Sequence, residues 1–105
     1  MTSFRVQEAA SHRIDEIYRY TRNHWGNHQA KVYISGLFND FSRIATHRVL
    51  SHPIPAEFEV EGFFFRYEQH FVYWKMLNNG DIGIVTVLHE RMHQMDRFRE
   101  DYGEE

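Results

Sequence analysis

The chain has no cysteine, which excludes disulfides and thiolate chemistry and suits a reducing cytoplasm. Lysine is almost missing as well, Lys31 and Lys75 being the only two. Acidic residues outnumber basic ones, 15 against 12, for a net charge of −3 and a pI near 6.2. A protein that grips a phosphate backbone normally carries a basic excess, because counterion release supplies much of its affinity. That excess is absent overall, which leaves room only for a local patch. No apolar run is long enough to span a membrane, and the N-terminal MTSFRVQEAA lacks the apolar stretch of a signal peptide. Proline occurs twice, both times in His52-Pro53-Ile54-Pro55, which reads as the one substantial loop. There are no repeats or low-complexity tracts.

What is present fits one globular domain over residues 1–105. Of the 105 residues 42% are hydrophobic and 26% charged, ordinary values for a single core. Phe4–Gln7 alternates as a first strand. Ala9 to Asn23 has helix spacing, with Ile14, Ile17, Tyr18 and Thr21 on one stripe. Ser11 is its expected N-cap. Gly26 is expected to take the left-handed conformation that closes this helix, and Asn27 to cap the next. From His28 to about Val49, Ala30, Tyr33, Ile34, Leu37, Phe38, Phe41, Ile44 and Ala45 recur at three- and four-residue steps. Gly36 lies inside that helix, where glycine costs about 1 kcal/mol relative to alanine, so a close backbone contact is expected there.

Three strands follow. In Phe58–Tyr67, alternation puts Phe58, Val60, Phe64 and Arg66 on one face and Phe63, Phe65 and Tyr67 on the other. His70–Leu77 comes next, after Glu68-Gln69. Asn78-Asn79-Gly80-Asp81 supplies the positive-φ residues of a hairpin turn. Ile82–Leu88 is nearly all apolar, as for a strand buried on both faces, and Gly83 within it is expected to admit a helix. Residues 89–105 form a charged tail that can make a short helix. The fold class is therefore α+β: an N-terminal strand and an antiparallel helical hairpin packed on a small antiparallel sheet that ends in a three-stranded meander.

Few residues carry chemical signals. His89-Glu90-Arg91-Met92-His93 matches H-E-x-x-H, but the motif starts where a strand ends. Its only candidate third ligands, Asp96, Glu100 and Asp101, lie on the same short tail, so no metal and no cofactor are expected. His24 and His28 are also four apart, with Gly26 breaking the helix between them. Arg66, after Phe63-Phe64-Phe65, is either a stem-packing residue or a charge presented to a partner. Lys75, Arg91, Arg97 and Arg99 are candidates to join it in a local basic patch. Aromatic residues make up 16% of the chain, more than a small core readily uses, so some are expected to await a partner.

Taken together, Ile14-Asp15-Glu16-Ile17-Tyr18-Arg19-Tyr20-Thr21, Trp25-Gly26, Gln29-Ala30, Tyr33, Phe65-Arg66-Tyr67-Glu68, His70, Tyr73-Trp74, Asp81-Ile82 and Leu88-His89-Glu90-Arg91-Met92 resemble the ParE branch of the ParE/RelE bacterial toxin superfamily. The resemblance covers nearly the whole chain, in order. It implies the toxin of a type II toxin–antitoxin pair that inhibits DNA gyrase, is neutralised by a ParD-like antitoxin, and meets operator DNA through that antitoxin. On this reading Arg66, His89, Arg91 and Met92 face the target, while Phe58, Phe64, Arg66, Phe71 and Trp74 face the antitoxin. The related RelE branch cuts mRNA on the ribosome, and for that activity Arg66, His89 and Arg91 are the candidate catalytic residues, with Glu61 or Glu68 as the base. An inactive family member is the third possibility. The net acidic charge favours the gyrase inhibitor, since a protein interface can rest on a few aromatic and arginine anchors.

Overall fold

The structure, a computed structural model, describes residues 3–46 and 50–91. In chain order these form β1 (Phe4–Val6), α1 (Glu8–Trp25), α2 (Asn27–Ala45), β2 (His52–Pro53), a one-turn 3-10 helix (Ala56–Phe58), β3 (Phe63–Tyr67), β4 (His70–Met76) and β5 (Ile82–His89). The sheet order is β1-β5-β4-β3-β2, with β1 parallel to β5 and every other pair antiparallel. The α+β class and the meander are as expected from the sequence. The parallel pairing of β1 and the two-residue β2 are additions to it.

Helix α1 starts earlier than the sequence suggests. The Ser11 amide already donates to the Gln7 carbonyl (2.9 Å), and the Gln7 amide is tied to the Ile84 carbonyl (3.0 Å). The chain thus leaves β1 directly into the helix, and Ser11 sits in its first turns rather than at its cap. A single residue joins the two helices. The Gly26 amide donates to the Arg22 carbonyl and the Gly26 carbonyl accepts from Ala30, at φ 93° and ψ 169°. That is an extended positive-φ conformation open mainly to glycine, not the left-handed helical one. Asn27 is the first helical residue, and no side chain caps α2. The described helix ends at Ala45, where the Thr46 hydroxyl donates to the carbonyls of Ser42 and Arg43. The expected extension toward Val49 and the short helix of the 89–105 tail lie outside the described residues.

The two apolar stripes bury against one face of the sheet. Ala10, Ile14 and Ile17 of α1 meet Leu37, Phe41 and Ile44 of α2 and the sheet residues Phe65, Val72, Trp74, Ile82, Ile84 and Val87. All of Ile82–Leu88 is buried. Simple alternation fails within it, because the register slips between Tyr73 and Trp74, pairing Tyr73 with Thr86 but Trp74 with Ile84. Val85 is the extra residue of a bulge, so Ile84 and Val87 both join the helix-side core.

The opposite face of the sheet is also covered. The expected long strand breaks at Glu59 (φ 60°) and Gly62 (φ 148°). The resulting loop folds Phe58 and Val60 over Phe64, Phe71 and the buried Ile54, Tyr73 and Leu88. Phe58, Val60 and Phe64 therefore do share a face, through a loop rather than a strand. In the β4–β5 turn only Gly80 has positive φ, while Asn79 accepts from the Asp81 amide through its side chain. At Gly83, a side chain would meet Leu77 at 2.8 Å and Gln7 Nε2 at 3.4 Å, so side chains of neighbouring segments, not a helix, require that glycine.

At Gly36 the close contact is the Tyr67 phenol. A Cβ there would sit 2.3 Å from its oxygen, which donates to the Tyr33 carbonyl at 2.8 Å. Gly36→Ala is therefore expected to destabilise the chain despite a helix-propensity gain of about 1 kcal/mol. In a Tyr67→Phe background the same substitution should be less damaging. Denaturant melts of the double-mutant cycle measure this coupling, and strict additivity would show that the phenol does not set the requirement.

Candidate functional site

Of the sequence-predicted residues, Arg66, Phe71 and His89 lie where the β3–β4 turn meets the end of β5, but on two sides of the sheet. In the paired register Arg66, Phe71 and Leu88 point to one face, while Tyr67, His70 and His89 point to the other. The two-residue turn Glu68-Gln69 holds Glu68 at φ 52°, a strained conformation for a residue with a Cβ. Several contacts fix it: the Glu68 carbonyl accepts from Arg66 Nε at 2.8 Å, and the Gln69 carbonyl accepts from the Glu90 amide at 2.9 Å.

On the outer face, Arg66 is neither fully packed nor bare. Its side chain is 56% exposed and Nη2 pairs with the Glu90 carboxylate. The guanidinium also lies 5.8 Å from the centre of the Phe71 ring, a cation–π distance. Next to it is an open cleft of about 560 Å³, lined by Asp40, Arg43, Leu50, His52, Phe64, Phe65, Arg66 and Phe71. Arg43 pairs with Asp40 at 3.1 Å. Strand β2 covers only Phe63 and Phe64 of β3, so among the described residues no strand covers the edge of Phe65–Tyr67 that faces away from β4.

On the helix face lies a small aromatic–imidazole cluster. The Gln69 backbone hydrogen bond reaches the Tyr33 phenol, which is also hydrogen-bonded to His70 Nδ1 at 2.7 Å. The His70 ring stands edge-on to His89, 5.1 Å between centres, and His89 Nδ1 accepts from the Arg91 amide at 3.0 Å. Burial pushes His70 down to about 4, with His89 adding to the effect. Burial likewise pushes Tyr33 up to about 12 against the Gln69 hydrogen bond, with Tyr67, Glu68 and Glu90 adding to the rise. Tyr67 is raised for the same first reason, with Glu68 and Asp40 contributing. A general acid–base pair works best with values near the operating pH, and these groups are displaced away from it in opposite directions. The cluster is built to stay neutral.

Several sequence readings change here. Arg66 and His89 do not converge on one reaction centre, because the sheet separates them. His89 ends a strand and Glu90-Arg91 is turn, so the motif does not open on a helix. Its second histidine, His93, lies outside the described residues, as do Met92, Arg97 and Arg99. Among the described residues no three His, Asp or Glu side chains are grouped to hold a metal. Lys75 pairs with Gly83 near the other end of β4 and does not join Arg66. Trp74 is only 8% exposed, stacked on Phe63 at 4.6 Å with its indole donating to Ser51 Oγ, so it belongs to the core. Phe58, Phe64 and Phe71 remain half-buried. Among the described residues the large exposed apolar ones are instead Tyr20, Trp25, Val32, Leu50 and Met76. The signal that marks Tyr20, Trp25 and Val32 is their position off the apolar stripes of the two helices.

The neutral His70 gives a pH prediction. Its folded-state value lies below the usual 6.5, so the unfolded chain takes up this proton first. The stability His70 contributes is complete above about 6.5 and is lost as the pH falls toward 4. Melting temperature should drop across that window more steeply for the parent than for His70→Gln. Parallel curves for the two proteins would show that His70 is not the group responsible.

Comparison with known proteins agrees with this architecture. The family model described as ParE toxin of type II toxin-antitoxin system, parDE, matches residues 4–94. A Toxin ParE from Escherichia coli is 30% identical over 102 residues, covering 93% of this chain and 94% of that protein. A solved structure, the chromosomal ParDE TA system from P. aeruginosa, superimposes with a TM-score of 0.68 at 14% identity, covering 85% of this chain and 96% of the other. A match that runs from β1 past the end of β5 decides the matter: the chain belongs to the ParE toxin family of type II toxin–antitoxin systems.

Proposed function

We propose that this toxin arrests growth in the cytoplasm by binding DNA gyrase, without catalysis of its own, and that a ParD-like antitoxin neutralises it. The observation that carries the reading is the sheet corner. Arg66 is presented beside half-buried aromatic rings and an open cleft, while the nearby phenols and imidazole are held neutral. That arrangement suits binding better than proton transfer. Arginine and aromatic anchors are the usual hot spots of protein interfaces. Arg66 on one face of the sheet and His89 on the other flank this corner, and we assign them to the target together with Arg91 and Met92. Purified protein should block gyrase supercoiling. Unchanged supercoiling together with mRNA cleavage on programmed ribosomes would replace this reading with the RelE-type one.

The antitoxin is assigned to the cleft and the open edge of β3. An extended segment can add beside Phe65–Tyr67 through main-chain hydrogen bonds, with apolar side chains against Phe64 and Phe71 and Phe58 at the margin. Arg43, His52 and Arg66 favour acidic residues in that segment, and operator DNA is met through the antitoxin. Trp74 is held in the helix-side core and is given no direct part. Arg66→Glu should weaken antitoxin binding at least tenfold while leaving the melting curve near that of the parent. Equal affinity and equal toxicity in a folded variant would reduce Arg66 to a surface residue.

A further inference from the structure

The overall acidity of the chain hides a strong segregation of charge. Between Glu16 and Asp40 there is no acidic residue, while Arg19, Arg22 and Lys31 all fall in that span. The rest of the chain therefore holds nine basic residues against fifteen acidic ones. The span covers the end of α1, the Gly26 joint and the start of α2, so the excess positive charge collects at the tip of the helical hairpin. Arg19, Arg22, His24, His28 and Lys31 are all exposed there. Among the described residues no carboxylate lies within ion-pair distance of Arg19, Arg22 or Lys31.

The same tip carries exposed rings. Trp25 is 72% exposed and Tyr20 61%. Arg19, Arg22 and Trp25 follow one another at three-residue steps, so they form a continuous stripe up one flank of α1. The Arg22 guanidinium lies 5.9 Å from the centre of the Tyr18 ring within this stripe. On the other flank Tyr20 stacks on His24, 4.0 Å between ring centres.

We propose that the hairpin tip is a nucleic-acid contact surface, with Arg19, Arg22 and Lys31 on phosphates and Trp25 stacked on a base. The composition separates this from a protein-docking patch. A protein interface has an apolar centre depleted of charge and a polar rim. Here the rings are set singly among cations and the amides Asn23, Asn27 and Gln29, the pattern of single-strand sites that combine basic residues with aromatic stacking. The binding is weak and electrostatic, since about three phosphate contacts give a salt slope near −2 for a single strand. The surface shares no residue with the lining of the sheet-corner cleft and is proposed independently of the gyrase reading.

The experiment uses the purified chain and an unlabelled 20-nucleotide oligothymidylate, alone and annealed to oligodeoxyadenylate. Trp74 is buried, so quenching of tryptophan fluorescence by the oligonucleotide reports on Trp25. Saturable quenching is expected at low salt, with affinity falling roughly 20-fold between 50 and 200 mM salt. Arg19→Glu/Arg22→Glu should lose it at least tenfold. With a fluorescein-labelled strand, Trp25→Ala should bind at least fivefold more weakly. Arg5→Gln, on β1 ahead of the other end of α1, should match the parent, and circular dichroism melts confirm that every variant is folded. The proposal is overturned by salt-independent binding, by no saturable binding, or by a folded double variant that binds like the parent. It is equally overturned if poly-glutamate binds at this tip and the oligonucleotide does not, which would make the surface one for an acidic protein.

Discussion

Burial of β5 on both faces is the constraint on which the rest of this small fold depends. Every residue from Ile82 to Leu88 is out of contact with solvent, so each side of that strand needs its own cover. The helical hairpin supplies one cover with Ile14, Ile17, Leu37, Phe41 and Ile44. The 54–60 segment supplies the other with Ile54, Phe58 and Val60. At roughly 25 cal/mol per Å² of apolar surface removed from water, both layers contribute, and neither side of the sheet is left as a broad bare patch. The bulge at Val85 adjusts this arrangement, turning Ile84 and Val87 to the same side where a strict alternation would have opposed them.

The sheet corner follows from the same economy of length. A two-residue connection between β3 and β4 forces Glu68 into a left-handed conformation, and such strain persists only when surrounding contacts over-determine it. Here they come from three directions: Tyr33 on α2, Arg66 on β3 and Glu90 at the end of β5. The imidazole of His70 is part of that scaffold through its hydrogen bond to Tyr33, and its burial holds it neutral. The neutrality of the cluster and the fixed position of Arg66 are thus two aspects of one structural solution.

The helices and the three long strands are legible in the sequence because their apolar periods are long and uninterrupted. The interrupted ones are not. Phe58 and Val60 keep the spacing of a strand, but Glu59 and Gly62 take positive φ between them and Phe63, and no local pattern announces that. The parallel docking of β1 on β5 and the two-residue β2 are likewise set by tertiary contact rather than by local preference. At the site, the sequence singles out Arg66 and Phe64, since alternation puts them on one face, while Phe71 joins them only through the β3–β4 register. It misjudges Trp74, because a tryptophan in a strand reads the same whether it faces a core or a partner. The His70–His89 pairing is invisible for another reason: it depends on a register across the β4–β5 hairpin that includes a bulge.

Charge then decides how such a surface can be shared. The ion pairs at the corner, Arg66 with Glu90 and Arg43 with Asp40, are both partly exposed, and pairs of that kind are worth about 0 to 1 kcal/mol. Exchanging Glu90 for a carboxylate from a partner therefore costs little, but it gains little as well. On the proposed reading, discrimination between partners comes from what cannot be exchanged: the main-chain edge of Phe65–Tyr67 and the aromatic walls of the cleft. The hairpin tip is different, because among the described residues Arg19, Arg22 and Lys31 have no carboxylate to give up, so an anion placed there does not compete with one of those. A chain that is acidic overall can in this way present a corner that selects by shape and a tip that selects by charge.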